Sequence, residues 1–98
     1  MDTVIGRYAW SKTGRDKDKL FIIIGVADDS HVLLADGDLR RVDRPKKKKL
    51  KHLKITNKVA EEISQAVMMK KKLADEDLRN AVLRYKDEMA AIRKSREA

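Results

Sequence analysis

The chain has no cysteine, one proline, four glycines and only four aromatic residues among its 98. Without cysteine there is no disulfide framework, no thiolate metal site and no cysteine nucleophile, which fits a reducing compartment. The two histidines, His31 and His52, lie far apart and lack metal-ligand spacing, so no metal site and no cofactor is implied. Long apolar runs are missing as well. The longest, Leu20 to Ile24, falls far short of the roughly 20 residues of a spanning helix. Met1-Asp2-Thr3 also lacks the basic stretch that precedes an apolar one in a secretory signal. These absences read as a soluble, unexported, cytoplasmic protein with no membrane partner. The length leaves room for one small domain plus an appendage, since a core of about 60 residues buries only about 60% of its unfolded surface. A deep cleft between large domains, and with it a small-molecule substrate, is not expected.

Charge is what the chain has in plenty. There are 24 Lys plus Arg against 16 Asp plus Glu, a formal net charge of +8, with 41% of residues charged and 42% apolar. The apolar residues occur in patterned blocks, which favours a folded module with a polyanionic partner over a disordered basic tail. The excess is local. Residues 40 to 54 hold nine cations and one anion, and the other 83 residues hold 15 of each sign.

Residues 2 to 42 read as strands: Val4 to Trp10 alternates weakly, Leu20 to Val26 is a dense β-branched and aromatic run, and His31 to Ala35 with Leu39 to Val42 continues the pattern. Ser11 to Lys19, Asp28-Asp29-Ser30 and Asp36-Gly37 supply turns, the last favouring the positive φ angles of a tight hairpin. Short strands punctuated this often predict a small antiparallel barrel. Pro45 excludes a central strand for the lysine run Lys46 to Lys49, but Leu50, Leu53 and Ile55 let this segment return as an edge strand with lysines outward. From Thr56 the period is helical, with Thr56 or Asn57 as cap, Glu61 and Glu62 in the early turns and Val59, Ile63, Ala66 and Val67 on one face. A second helix is predicted from Ala74 or Asp75. Its stripe, Leu78, Val82, Tyr85, Met89 and Ile92, either packs on the rest of the chain or meets a partner.

Gly6-Arg7-Tyr8-Ala9-Trp10, then Gly14-Arg15-Asp16 with Lys19-Leu20 ahead of an aliphatic strand, and Val32-Leu33-Leu34-Ala35-Asp36-Gly37 resemble the KOW module, an SH3-like β-barrel of ribosomal proteins and transcription elongation factors. The order is most similar to a KOW-containing large-subunit ribosomal protein family of archaea and eukaryotes, in which a basic helical segment follows the barrel. The segment from Arg44 to Leu53 also resembles that of short bacterial KOW-type RNA-binding proteins. The resemblance covers residues 3 to about 55. It implies a five-stranded SH3-like barrel over 1–55, carrying the basic segment 40–54, then a helical extension over 56–98. The KOW loop usually has a glycine just before its final lysine, at a positive-φ turn; here that residue is Asp18, a type that tolerates this conformation better than most.

A phosphate backbone rewards closely spaced cations through counterion release, whatever the base sequence. This singles out Arg40, Arg41, Arg44, Lys46, Lys47, Lys48, Lys49, Lys51 and Lys54, the competing reading being a solvated edge or linker. In the first loop Lys12, Arg15, Lys17 and Lys19 are either phosphate ligands or an exposed turn. Trp10 and then Tyr8 are candidates for stacking on bases, or else plugs of a small core. The pairs Asp28-Asp29 and Asp36/Asp38 sit where turns need Asp, and Ser11 and Ser30 have no adjacent base, so no enzyme is expected. The expected partner is RNA, ribosomal RNA above all, bound by backbone and shape. A protein partner for the helical stripe is the alternative, and DNA held by charge alone is a weaker third.

Overall fold

The densest apolar run becomes the middle of the sheet. In the computed structural model, which describes residues 4–97, strand β2 covers Leu20–Asp28, flanked by β1 (Arg7–Ser11) and β3 (His31–Ala35). β4 (Lys46–Lys49) and β5 (Leu53–Val59) form the outer strands, giving an antiparallel order β4-β3-β2-β1-β5. Two helices follow, α1 (Glu61–Met68) and α2 (Asp75–Glu97). The architecture is mainly β with C-terminal α, and no helix is long and apolar enough to cross a membrane among the described residues.

β2 has no polar face because both of its faces are covered. Leu20 and Ile22 join Tyr8 and Ala35 under the helices, where Ala60, Ile63, Leu78, Ala81, Val82 and Tyr85 complete one cluster. Phe21 and Ile23 point the other way, into a second cluster with Ala9, Val32, Leu34 and Leu53. Leu53 of the edge strand β5 thus shares a core with Val32 and Leu34 of β3, so the sheet curls over this face. Each fully buried residue of this size contributes about 1.5–3 kcal/mol.

The curl does not close into a hydrogen-bonded barrel. β4 and β5 remain the two edges among the described residues, joined by a one-turn 3-10 helix, Leu50–His52. The Leu50 amide donates to the Ser30 carbonyl (2.9 Å) and the Lys12 amide to the His52 carbonyl (2.9 Å), which pins this turn to both sides of the sheet. The expected edge strand of lysines is present as β4, its residues paired with His31 to Leu34.

Two expected elements differ. Leu39 to Val42 is not a strand, because its backbone groups are used elsewhere. The Asp36 carboxylate accepts from the Asp38 and Arg40 amides (both 2.9 Å), and the Val42 amide donates to Asp75 Oδ1 (2.8 Å). Nor does α1 begin at Thr56 or Asn57. The Thr56 hydroxyl donates to the Tyr8 carbonyl (2.8 Å) and β5 continues to Val59, so the chain stays extended until Ala60. Glu61 and Glu62 then oppose the positive end of α1. α2 begins at Asp75 as predicted, but its stripe divides: Leu78, Val82 and Tyr85 are buried, while Met89 and Ile92 are 42% and 48% exposed.

Two glycines make the helix packing possible. Gly6 (φ 87) leaves only 2.6 Å between the place of a Cβ and Ser64 Cβ. Gly37 (φ 79) lies against the Asp75 carbonyl at the start of α2, and the Arg79 guanidinium donates to its carbonyl (2.8 Å).

Candidate nucleic-acid interface

The loop from β1 to β2 is folded by its own backbone. The Ser11 amide donates to the Lys19 carbonyl (3.0 Å), the Asp18 amide to that of Ser11 (2.8 Å) and the Lys17 amide to that of Gly14 (3.2 Å). This path requires positive φ at Gly14 (74°) and at Asp18 (68°). Asp16 turns inward, with its side chain 9% exposed, and Arg40 donates to it at 3.1 Å. Its negative charge is thereby paired within the fold, whereas Lys12, Arg15, Lys17 and Lys19 face solvent.

The lysine edge meets this loop. Lys48 lies opposite Val32, which puts it on the curled face of the sheet, and its ammonium donates to the Thr13 carbonyl (3.0 Å). The Lys12 to His52 backbone bond carries the Leu50–His52 turn, with Lys51, to the same loop, and Lys54 follows on β5 opposite Trp10. Two segments about 35 residues apart therefore form one basic surface. His52 registers the field: desolvation, then the positive charges of Lys51, Lys48, Lys49 and Lys12, hold its pKa below the usual imidazole value.

The other candidates divide. Lys47 and Lys49 project from the opposite face of β4, and Lys47 lies 3.7 Å from Asp28. Lys46, paired with Leu34, is on the face of Lys48. Arg40 is committed to Asp16, so its guanidinium ties the 36–45 loop to the first loop. Arg41 and Arg44 are exposed on that loop near the start of α2. Tyr8 offers no face to a base, since it is buried, stacked on Tyr85 (centroids 4.4 Å apart, 12° between planes) and bonded through its hydroxyl to the Ala81 carbonyl (3.1 Å). Burial and the neighbouring Glu62 push its pKa up. Trp10 is half-buried against the helix-side cluster.

Sequence reasoning missed two groupings. Asp28, Ser30 and His31 meet at the tip of the β2–β3 hairpin, where the Asp28 carboxylate (2.8 Å) and the Ser30 hydroxyl (3.0 Å) both lie against His31 Nδ1. Sharing one ring nitrogen, they leave no proton path from serine through the imidazole to the acid. The Ser30 amide and His31 keep the Asp28 carboxyl well below its ordinary range. The second grouping is Lys70, Lys71 and Lys72 after α1, a run visible in the sequence but hidden by the charge balance outside 40–54. No group of three or more His, Cys, Asp or Glu side chains is arranged to hold a metal ion among the described residues.

No protein-family model matches the chain. A curated bacterial protein does: "Putative ribosome-binding protein YbzG" of Bacillus subtilis (strain 168) is 33% identical over 64 residues, which span 65% of this chain and 86% of the relative.

Proposed function

This chain belongs to the family of Bacillus subtilis YbzG, and from that premise we propose that it is a ribosome-associated RNA-binding protein that grips the phosphate backbone of ribosomal RNA. One observation carries the reading. Lys48 on Thr13 and Lys12 on His52 merge the first loop and the lysine edge into one surface, on which Lys12, Arg15, Lys17, Lys19, Lys46 and Lys51 make no ion pair among the described residues. Cations held this close repel one another, and a polyanion relieves the repulsion while releasing its own counterions. Lys47, Lys49 and Lys54 extend the field along the outer strands, and Arg40 contributes by positioning the loops. Trp10 is the one ring left for stacking at its rim. The protein named for ribosome binding and the cytoplasmic location of ribosomes point the same way.

An SH3-like barrel of the KOW type belongs to the same proposal. It is supported by the strand order, the 3-10 turn between the last two strands, the cluster beneath the curl, and Asp18 at positive φ. The activity proposed is binding, not catalysis, in keeping with the dead-end geometry at His31.

RNA affinity across a salt series tests this. Each phosphate bound should contribute a log-log slope of about −0.7 to −0.9, so a surface that holds several gives a steep fall. A flat dependence, or no change when Lys46 to Lys49 become alanine, overturns it.

A second reading, docking of a protein on the helical stripe, is favoured by the exposed Met89 and Ile92. Truncation after Asn57 cannot separate the two, because Leu78, Val82 and Tyr85 complete the core of the sheet. Met89→Ser with Ile92→Ser can: loss of ribosome association with RNA affinity intact supports the protein partner.

A further inference from the structure

The lysines that follow α1 are held on a pinned backbone. The Lys70 amide donates to the Val67 carbonyl (3.1 Å) and the Lys71 amide to that of Ala66 (2.8 Å), the paired bonds that end a helix through a left-handed residue. That residue is Lys70, at φ 56°. Glycine or asparagine would adopt this conformation with less strain, and one lysine would suffice to oppose the helix dipole. Here there are three in succession, exposed and without an ion pair among the described residues.

The tertiary structure brings them to other free cations. Two shallow depressions meet at Asp43: Arg41 and Arg44 line one, and Lys70, Lys71 and Lys72 line the other beside Val42. The bond from the Val42 amide to Asp75 Oδ1 (2.8 Å) fixes the 36–45 loop to α2 at this place. Asp43 thus lines a depression with each group, five cations in all. Val42, Ile24 and Leu73 pack against the helix-side cluster, so this surface lies on the covered face of the sheet, whereas Lys46 and Lys48 lie on the curled face.

We propose that Arg41, Arg44, Lys70, Lys71 and Lys72 form a second phosphate-binding surface, by which the protein engages the RNA backbone at two places on opposite faces of its sheet. The proposal rests on the RNA-binding reading above and extends it to a site that segment 40–54 alone does not contain. A pinned chain loses less freedom on binding than a mobile basic tail, so these lysines are placed to contribute affinity.

The test uses the full chain and two sets of variants, with a short RNA duplex as probe. Lys70→Asn with Lys71→Ala and Lys72→Ala removes the charge while leaving a residue at position 70 that tolerates its φ; Lys46 to Lys49→Ala disables the first surface. The expected result is a salt slope shallower by about 0.7–0.9 for each phosphate that a set of substitutions releases, with the two reductions adding in the combined variant. Lys71→Arg with Lys72→Arg should keep the wild-type slope. Circular dichroism and the thermal midpoint establish that each variant is folded. Wild-type binding with a steep slope that the 70–72 variant leaves unchanged overturns the second surface alone. Absence of wild-type RNA binding overturns the reading on which it rests. Binding of a polyglutamate peptide that the 70–72 variant loses, with RNA affinity intact, overturns it in favour of an acidic protein partner.

Discussion

The two faces of the sheet are completed by different means. On one, α1 and α2 supply Ile63, Leu78, Val82 and Tyr85 to cover Tyr8, Leu20 and Ile22. On the other, the strands curl over Phe21, Ile23 and Leu34, and the rim is left to a charged loop and a lysine edge. The lesson is about tolerance. The helix-covered face depends on close backbone approach and should resist change, whereas the basic rim is tied down at few points and is free to be read by a partner.

Glycine substitution should break this contrast most sharply. In Gly37→Ala both the φ of 79° and the Asp75 carbonyl oppose the new methyl, and a loss of at least about 3 kcal/mol is expected from urea unfolding. Gly14→Ala has a similar φ of 74° but meets only Lys48 Nζ at 3.7 Å, so about 1 kcal/mol should be lost. Equal losses would remove the distinction between the faces.

Along α2 the same comparison can be drawn within one helix. Leu78→Ala opens a cavity under the sheet and should destabilise by about 2–4 kcal/mol, while Met89→Ala, 42% exposed, should stay within about 0.5 kcal/mol. Thermal unfolding distinguishes them.

Arg40 and Arg41 are neighbours with different duties. Arg40→Ala leaves the inward-turned Asp16 without its guanidinium and should lose about 1–2 kcal/mol, read by urea midpoint. Arg41→Ala should leave stability unchanged and weaken RNA binding instead.

The smallest effect is electrostatic. The pKa of His52 is held down by desolvation first and by Lys51 next, so the neutral ring is favoured in the native state. The stability this residue provides is present above its ordinary value of about 6.5 and is lost as pH falls through the lowered native pKa. Lys51→Ala should raise that pKa by part of the shift, since desolvation remains, as followed by the ring proton resonances. RNA bound at the lysines should raise it in the same direction, so binding takes up protons and strengthens as pH falls. A pKa unmoved by RNA would place the phosphates elsewhere.

Much of this was legible residue by residue. Leu20 to Ile24 announced a buried strand, Pro45 followed by lysines an edge, and Asp75-Glu76-Asp77 the positive end of a helix, because each signal acts over a few neighbouring residues. The positive φ of Asp18 was expected only through the resemblance to a loop that usually has glycine there, a conformation Asp tolerates better than most residues. Leu39 to Val42 misled because its period was right for a strand while its hydrogen-bond partners, Asp36 and Asp75, lay outside the window. Tyr8 misled because nothing near it in sequence shows Tyr85 arriving to stack on it.

Composition and local pattern by themselves determined that the chain is mainly strands followed by helices and that its charge is concentrated rather than spread. Only the tertiary structure decided which cations are free. Arg40 is neutralised by Asp16 from another loop, Lys48 is drawn onto Thr13, and Lys70 to Lys72 are carried to Arg41 and Arg44 across the start of α2. Charge is a property of a residue, but its availability depends on what folding places within a few ångströms of it, and those neighbours come from distant parts of the chain.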